Sequence, residues 1–190
     1  YQSIDLYTTG PGESYVKIAQ ERFNNFSDIT YYGNSDSGGE VSLPLVFAGN
    51  GSAAALEQVD IQGKAILLVT DAEFPTNETL SLLRQEGAKM IFVSHSKSKG
   101  EFTIVSNQIK SFSGRRDLSL KRPPDNTTLP GVFVVSPVMT QKFFGFSREQ
   151  LSKIIADGYK KNALKKVRQV EVAYYTASGT NLVKSEKVLG

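Results

Sequence analysis

The residues with the most chemical promise sit in one glycine-rich turn. In "LVFAGNGSAA", Gly49, Gly51 and Ala54 match G-x-G-x-x-A after an apolar segment, and Asp71 closes the next apolar segment. In a dinucleotide-binding fold such a turn lets pyrophosphate approach a helix N-terminus, and an acid about 20 residues on holds the ribose. That chemistry needs a crossover helix able to span the sheet. Only "AAALEQ" stands between the turn and Val59–Asp60, fewer than about two helical turns. The spacing favours a glycine turn between strands, with nucleotide binding through Gly49, Gly51 and Asp71 as the enzyme alternative.

A second segment, "SDSGGE", places Asp36, Ser37, Gly38 and Gly39 as in the nucleophile segment of trypsin-like serine proteases. Ser35 stands where that segment has glycine, and Glu40 where it has proline. His95, the sole histidine, follows the serine, whereas those enzymes place histidine first. A polar turn is the expectation. One histidine cannot supply the several nitrogen ligands of most catalytic zinc sites, so His95 is expected at a strand-to-loop junction. Asp71 and Glu73 could form a carboxylate pair, but no partner is recognisable and a solvated loop end is expected. With no cysteine in the chain, disulfides, thiolate chemistry and cysteine-type zinc sites are excluded.

Basic residues gather at Lys97, Lys99, Lys110, Arg115, Arg116, Lys121 and Arg122, and again at Lys160, Lys161, Lys165, Lys166 and Arg168. Only Phe102 and Phe112 accompany the first group, too few for a stacking platform, and the net charge is just +3. These read as solvated faces, with an anionic partner as the minor alternative and no nucleic acid expected. Sequons at Asn25, Asn50, Asn77 and Asn126 would matter only in a glycosylating host.

The elements that position these residues are legible from residue 43 on. "LPLVFAG", Ala65–Val69 after a Gln62–Gly63 turn, "KMIFVSH" and "GVFVVS" are short apolar runs, as expected of strands buried on both faces. Between them, "TNETLSLLRQEGAK" reads as a helix capped by Thr76 or Asn77, buried through Leu80 and Leu83 and stopped at Gly87. Strand, helix, strand makes a crossover unit with parallel strands. A short helix opens on Pro137. A longer one carries a capping box at Ser147 and Gln150 and a stripe of Leu151, Ile154 and Ile155. "VRQVEVAYYTAS" alternates as a half-exposed antiparallel strand. Residues 96–129 read as a long basic excursion whose alternating "EFTIVSNQI" suggests a strand or hairpin. Residues 15–23 fit either a helix or a strand, and "ITYYGNSDSGG" a strand entering a turn.

At 190 residues, 39% hydrophobic and 22% charged, the chain suits one globular core. No apolar run reaches the roughly 18 residues of a membrane span, and no signal peptide is visible. It opens at Tyr1 and closes on "SEKVLG". Both ends read as cuts inside a longer protein from which targeting information is gone.

From residue 43 onward the chain resembles the protease-associated domain inserted in zinc aminopeptidases related to glutamate carboxypeptidase. The resemblance rests on Pro44 to Gly49, the segment Asp60-Ile61-Gln62-Gly63-Lys64, Gly87-Ala88, Val132 to Pro137 and Val188-Leu189-Gly190, in the family's order. Lys187 departs from the asparagine usual at the closing junction, and the basic stretch 96–129 is longer than usual. The resemblance implies an α/β fold, a partly open β-barrel or sandwich with a few flanking helices. Residues 1–42 would form a strand-rich N-terminal wrap and residues 43–190 the domain core. It further implies a non-catalytic piece that shapes access to an active site or contacts a peptide or protein. Two zinc ions would belong to a catalytic peptidase domain following Gly190. The setting would be extracytoplasmic: secreted, periplasmic or surface-attached. No catalytic, cofactor-binding or metal-ligating residue is assigned within the chain, and a free-standing interaction domain of the same fold is the alternative.

Overall fold

The computed structural model describes residues 2–33, 35–71, 74–113, 117–119, 131–159, 163–164 and 166–187. Its strands are β1 (Gln2–Ile18), β2 (Glu21–Asn24), β3 (Ile29–Tyr32), β4 (Val41–Phe47), β5 (Ala65–Val69), β6 (Met90–Ser94), β7 (Asp117–Ser119), β8 (Val132–Val135) and β9 (Val170–Lys187). They form one sheet in the order β2-β1-β9-β4-β5-β6-β8-β3, with β7 added against β1. An isolated bridge between Asn25 and Ile29 brings the two end strands near each other, so the sheet almost closes into a barrel. The fold is mixed α/β, as expected.

The centre of the sheet is parallel. Leu45 pairs with Ala65, Leu67 with Phe92, and Phe92 with Phe133. Antiparallel strands flank this centre, β9 beside β4 and β3 beside β8. Every residue of β5, β6 and β8 is buried, because both faces are covered. The pleat sends alternate residues to two cores. Leu45, Phe47, Leu67, Val69, Phe92, Phe133 and Val135 join the larger one, closed by Val16, Ile29 and Val172. Val46, Ile66, Leu68, Ile91, Val93 and Val132 join the smaller one. At the middle of the larger core Phe92 stacks on Phe133 with ring centres 5.3 Å apart and meets Phe143 edge-on at 5.2 Å.

Helices α1 (Ala53–Leu56), α2 (Asn77–Gln85), α3 (Lys99–Ser113), α4 (Pro137–Phe144) and α5 (Arg148–Ala156) fill the connections. Their ends follow local chemistry. The Thr76 hydroxyl accepts from the Thr79 amide, and Ser136 caps α4 through the Met139 amide. Ser147 and Gln150 close the expected capping box on α5. α2 buries Leu80 and Leu83 against the smaller core. On α5 Leu151 is fully buried, Ile154 and Ile155 only partly.

Two readings require correction or choice. "EFTIVSNQI" is not a strand or hairpin but part of α3, a helix of 15 residues. Its seated stripe is Phe102 with Ser106, and the Ser106 hydroxyl is buried because it bonds Thr30 of β3 at 2.7 Å. The Glu101 amide donates to the Ser98 hydroxyl at 3.2 Å, a helix-start signal present in the S-x-x-E spacing. Of the two readings for residues 15–23, the strand holds: β1 runs to Ile18, and β2 turns back so that Val16 faces Phe23.

The Phe92 ring carries the larger core. Phe92→Ala is expected to lower stability by about 3–5 kcal/mol in urea denaturation. A loss below about 1 kcal/mol would contradict the packing described.

Candidate functional site

The glycine turn after β4 is filled by the protein itself. Gly49 and Gly51 hold φ of 60° and 77°, and a side-chain carbon at Gly49 would lie 2.7 Å from the Tyr159 hydroxyl oxygen. Tyr159 donates to Asn50 Oδ1 at 2.5 Å and accepts from the Asn50 amide at 3.3 Å. The Ser52 amide donates to Asn50 Oδ1 at 3.1 Å, and the Gly51 amide to the Ala48 carbonyl at 3.0 Å. The helix that follows, α1, is a single turn of four residues. Amides that would hold a pyrophosphate are thus already engaged, and the glycines serve a turn stacked under Tyr159.

In open α/β sheets, ligands collect beyond the carboxyl ends of the parallel strands. Here a guanidinium occupies that position. Arg148, the first residue of α5, is buried with its side chain 2% exposed. Its Nη2 donates to the Thr70 carbonyl at 2.5 Å and the His95 carbonyl at 3.1 Å, joining the ends of β5 and β6. Asp71 Oδ1, 3.0 Å away and 54% exposed, balances the charge from the solvent side. Asp71 is therefore a structural counter-ion and not simply a solvated loop end. Glu73, its expected partner, lies outside the described residues.

His95 does stand at a strand-to-loop junction. Its Nδ1 is 3.3 Å from the Thr70 hydroxyl, and its ring meets Phe74 edge-on at 6.2 Å. Ser37 has other partners: it donates to the Gly39 carbonyl at 2.5 Å and accepts from the Thr176 amide at 3.1 Å. That pins the polar turn to β9. Glu40 receives the Tyr15 hydroxyl at 2.9 Å and lies 2.5 Å from Lys17 Nζ. Neither Ser37 nor Glu40 is bonded to His95, so the serine-protease pattern does not assemble. Among the described residues no three His, Cys, Asp or Glu side chains converge to hold a metal. Zinc chemistry does not fit them. Of the basic residues, Lys97, Lys99 and Lys110 are solvent-exposed, with Lys110 Nζ 5.3 Å over the Phe26 ring. Arg115, Arg116, Lys121, Arg122, Lys160, Lys161 and Lys165 lie outside the described residues, as do Asn126 and the closing Val188-Leu189-Gly190.

Among the open concavities is a groove between α2 and α3, of about 560 Å³. Tyr32, Phe74, His95, Ile109 and Phe112 bring it an apolar, largely aromatic lining. Sequence reading missed it because its walls come from four separated segments. The visible signal was Val105, Ile109 and Phe112 at helical spacing, hidden while this stretch was read as a strand. No helix among the described residues is long and apolar enough to cross a membrane.

No family model matches the sequence, and no curated protein matches it. The fold is shared with a solved structure. An aminopeptidase from Aneurinibacillus sp. strain AM-1 superposes with a TM-score of 0.51 at 14% identity, over 97% of this chain and 35% of that one. A zinc aminopeptidase from Bacillus subtilis gives a TM-score of 0.45 at 15% identity, over 94% of this chain and 35% of its own. The chain thus spans about a third of the length of either enzyme.

Arg148 is expected to be structural. Arg148→Ala should cost about 3 kcal/mol, since two strand-end carbonyls lose their donor, whereas Asp71→Asn should cost under about 1 kcal/mol. Urea denaturation of both variants checks the ordering, and equal losses would refute it. Glu40 gives a pH signature. The Lys17 ammonium and then the Tyr15 hydroxyl hold its carboxyl below the ordinary 4.5. Its contribution to stability is complete above that value and fades as pH falls through the lower folded one. Glu40 raises Lys17 above 10.5, so that contribution holds below 10.5 and fades as pH rises past the folded value. Glu40→Gln should remove both limbs from a stability-against-pH profile, and an unchanged profile would contradict the pairing.

Proposed function

We propose that this chain is a non-catalytic, protease-associated-type accessory domain of an extracytoplasmic zinc aminopeptidase, serving peptide recognition or access to the active site. The observation that carries the reading is the pairing of β1 with β9. Their register runs from Lys17↔Ala173 to Gln2↔Lys187, so the two strands leave the sheet side by side as one ribbon. Two adjacent strands are what an insertion into a host domain requires. The fold likeness to the Aneurinibacillus aminopeptidase, which spans nearly all of this chain and a third of that one, supports the same setting. The site chemistry is consistent with it. Gly49, Gly51, Ser37 and Asp71 are each committed to holding backbone or neighbouring side chains, while the groove beside His95 is open and suited to contact. Zinc, two ions in the proteins this chain resembles, would be held by the catalytic domain.

The test compares this chain with a longer one extended beyond both Tyr1 and Gly190, each supplied with zinc and aminoacyl substrates. Cleavage by the longer chain alone is the expected result. Cleavage by the 190-residue chain would overturn the reading and reopen the Ser37, Asp71 and His95 neighbourhoods. If neither cleaves, the free-standing interaction domain replaces it. Removing residues 2–187 from an active longer chain should alter KM for peptides more than kcat for small aminoacyl esters.

A further inference from the structure

We infer that the groove between α2 and α3 binds a short uncharged peptide segment by taking in one bulky apolar side chain. The inference rests on the recognition role proposed above and names what is recognised. α3 has two stripes. Phe102 and Ser106 are buried and fix the helix to the sheet. Val105, Ile109 and Phe112, at i, i+4 and i+7, face the groove. Phe112 is 71% exposed and Tyr32, also in the lining, 52% exposed, so large aromatic surface stands open around a concavity. Phe74 stands on the opposite side, its ring set edge-on to His95.

Size and charge then choose the occupant. About 560 Å³ is within the range of small-ligand sites and holds one large side chain with its neighbouring peptide units, but not a packed helix. No Asp, Glu, Lys or Arg is among the described residues lining it; its polar groups are Asn77, Gln108, His95 and the Tyr32 hydroxyl. Side-chain amides carry both donors and acceptors and so match a peptide unit. His95 adds a ring whose Nδ1 is already turned to Thr70, leaving Nε2 as its unused nitrogen. Such a lining favours neutral amides and disfavours a charged terminus, whose desolvation none of the described lining residues would offset. No described residue of β1 or β9 lines it, so the ribbon does not cover it.

The test is an amide-shift titration of the isotopically labelled 190-residue chain with N-acetyl-phenylalaninamide, N-acetyl-glycinamide and free phenylalanine. The expected result is saturable shifts at Asn77, His95, Gln108 and Ile109. The capped phenylalanine should bind about tenfold more tightly than either other probe, a difference near one apolar side chain or one buried charge. Phe112→Ala should weaken it about fivefold. Leu82→Ala, an exposed α2 position outside the groove, should leave it unchanged. Shifts that do not saturate, that map elsewhere, or that are equal for the three probes overturn the inference. So do shifts that grow with protein concentration alone, which would mean a second copy occupies the groove. Peptide binding here, with no effect of removing the unit from the longer enzyme, would sink the accessory role and leave the groove assignment standing. The reverse pattern would do the opposite.

Discussion

Burial on both faces of β5, β6 and β8 governs the rest of the architecture. A strand in this position cannot present a polar side to water, so each face must be covered by something else in the chain. The Phe92–Phe133 stack fills one side, backed by Phe143 of α4 and closed by strands that curl round from both ends of the sheet. Leu80 and Leu83 of α2 cover the other side. The near-closure between β2 and β3 belongs to the same requirement, since an open sheet would leave the large aromatic core at an edge.

That arrangement decides where chemistry can occur. The carboxyl ends of the parallel strands, where a ligand would ordinarily sit, are tied together by Arg148. A buried guanidinium that meets two strand-end carbonyls and one carboxylate is a fastening. The 560 Å³ groove lies where α3 sits on β3 through a narrow stripe and stands apart from α2. The site is a consequence of how sparingly α3 is seated.

The apolar runs at 65–69 and 90–94 declared their burial, since neither alternates with polar residues. Thr76, Pro137 and the Ser147–Gln150 pair marked their helix starts through chemistry local to a few residues. Arg148 was illegible: a cation in the first turn of a helix opposes the dipole and reads as exposed, and only the tertiary fold places strand carbonyls around it. α3 was obscured for a related reason. One of its two buried contacts is a serine whose partner, Thr30, lies 76 positions away, so hydropathy saw alternation where packing imposes a helix. The groove inherits that obscurity.

The ribbon of β1 and β9 also has a mechanical meaning. Because Gln2 and Lys187 are opposite one another, a pull that separates them loads the ladder one cross-strand pair at a time, like a zipper opened from one end. Ladders pulled lengthwise resist with many hydrogen bonds at once; this one yields in sequence. The register shift between Pro11 and Ser14 divides its outer part from the stretch where β2 and β4 also flank the pair. Tension applied through the two strands would therefore consume the outer ribbon first and reach that irregularity before it disturbs the aromatic core, making the ribbon a compliant tether in front of a stiff body.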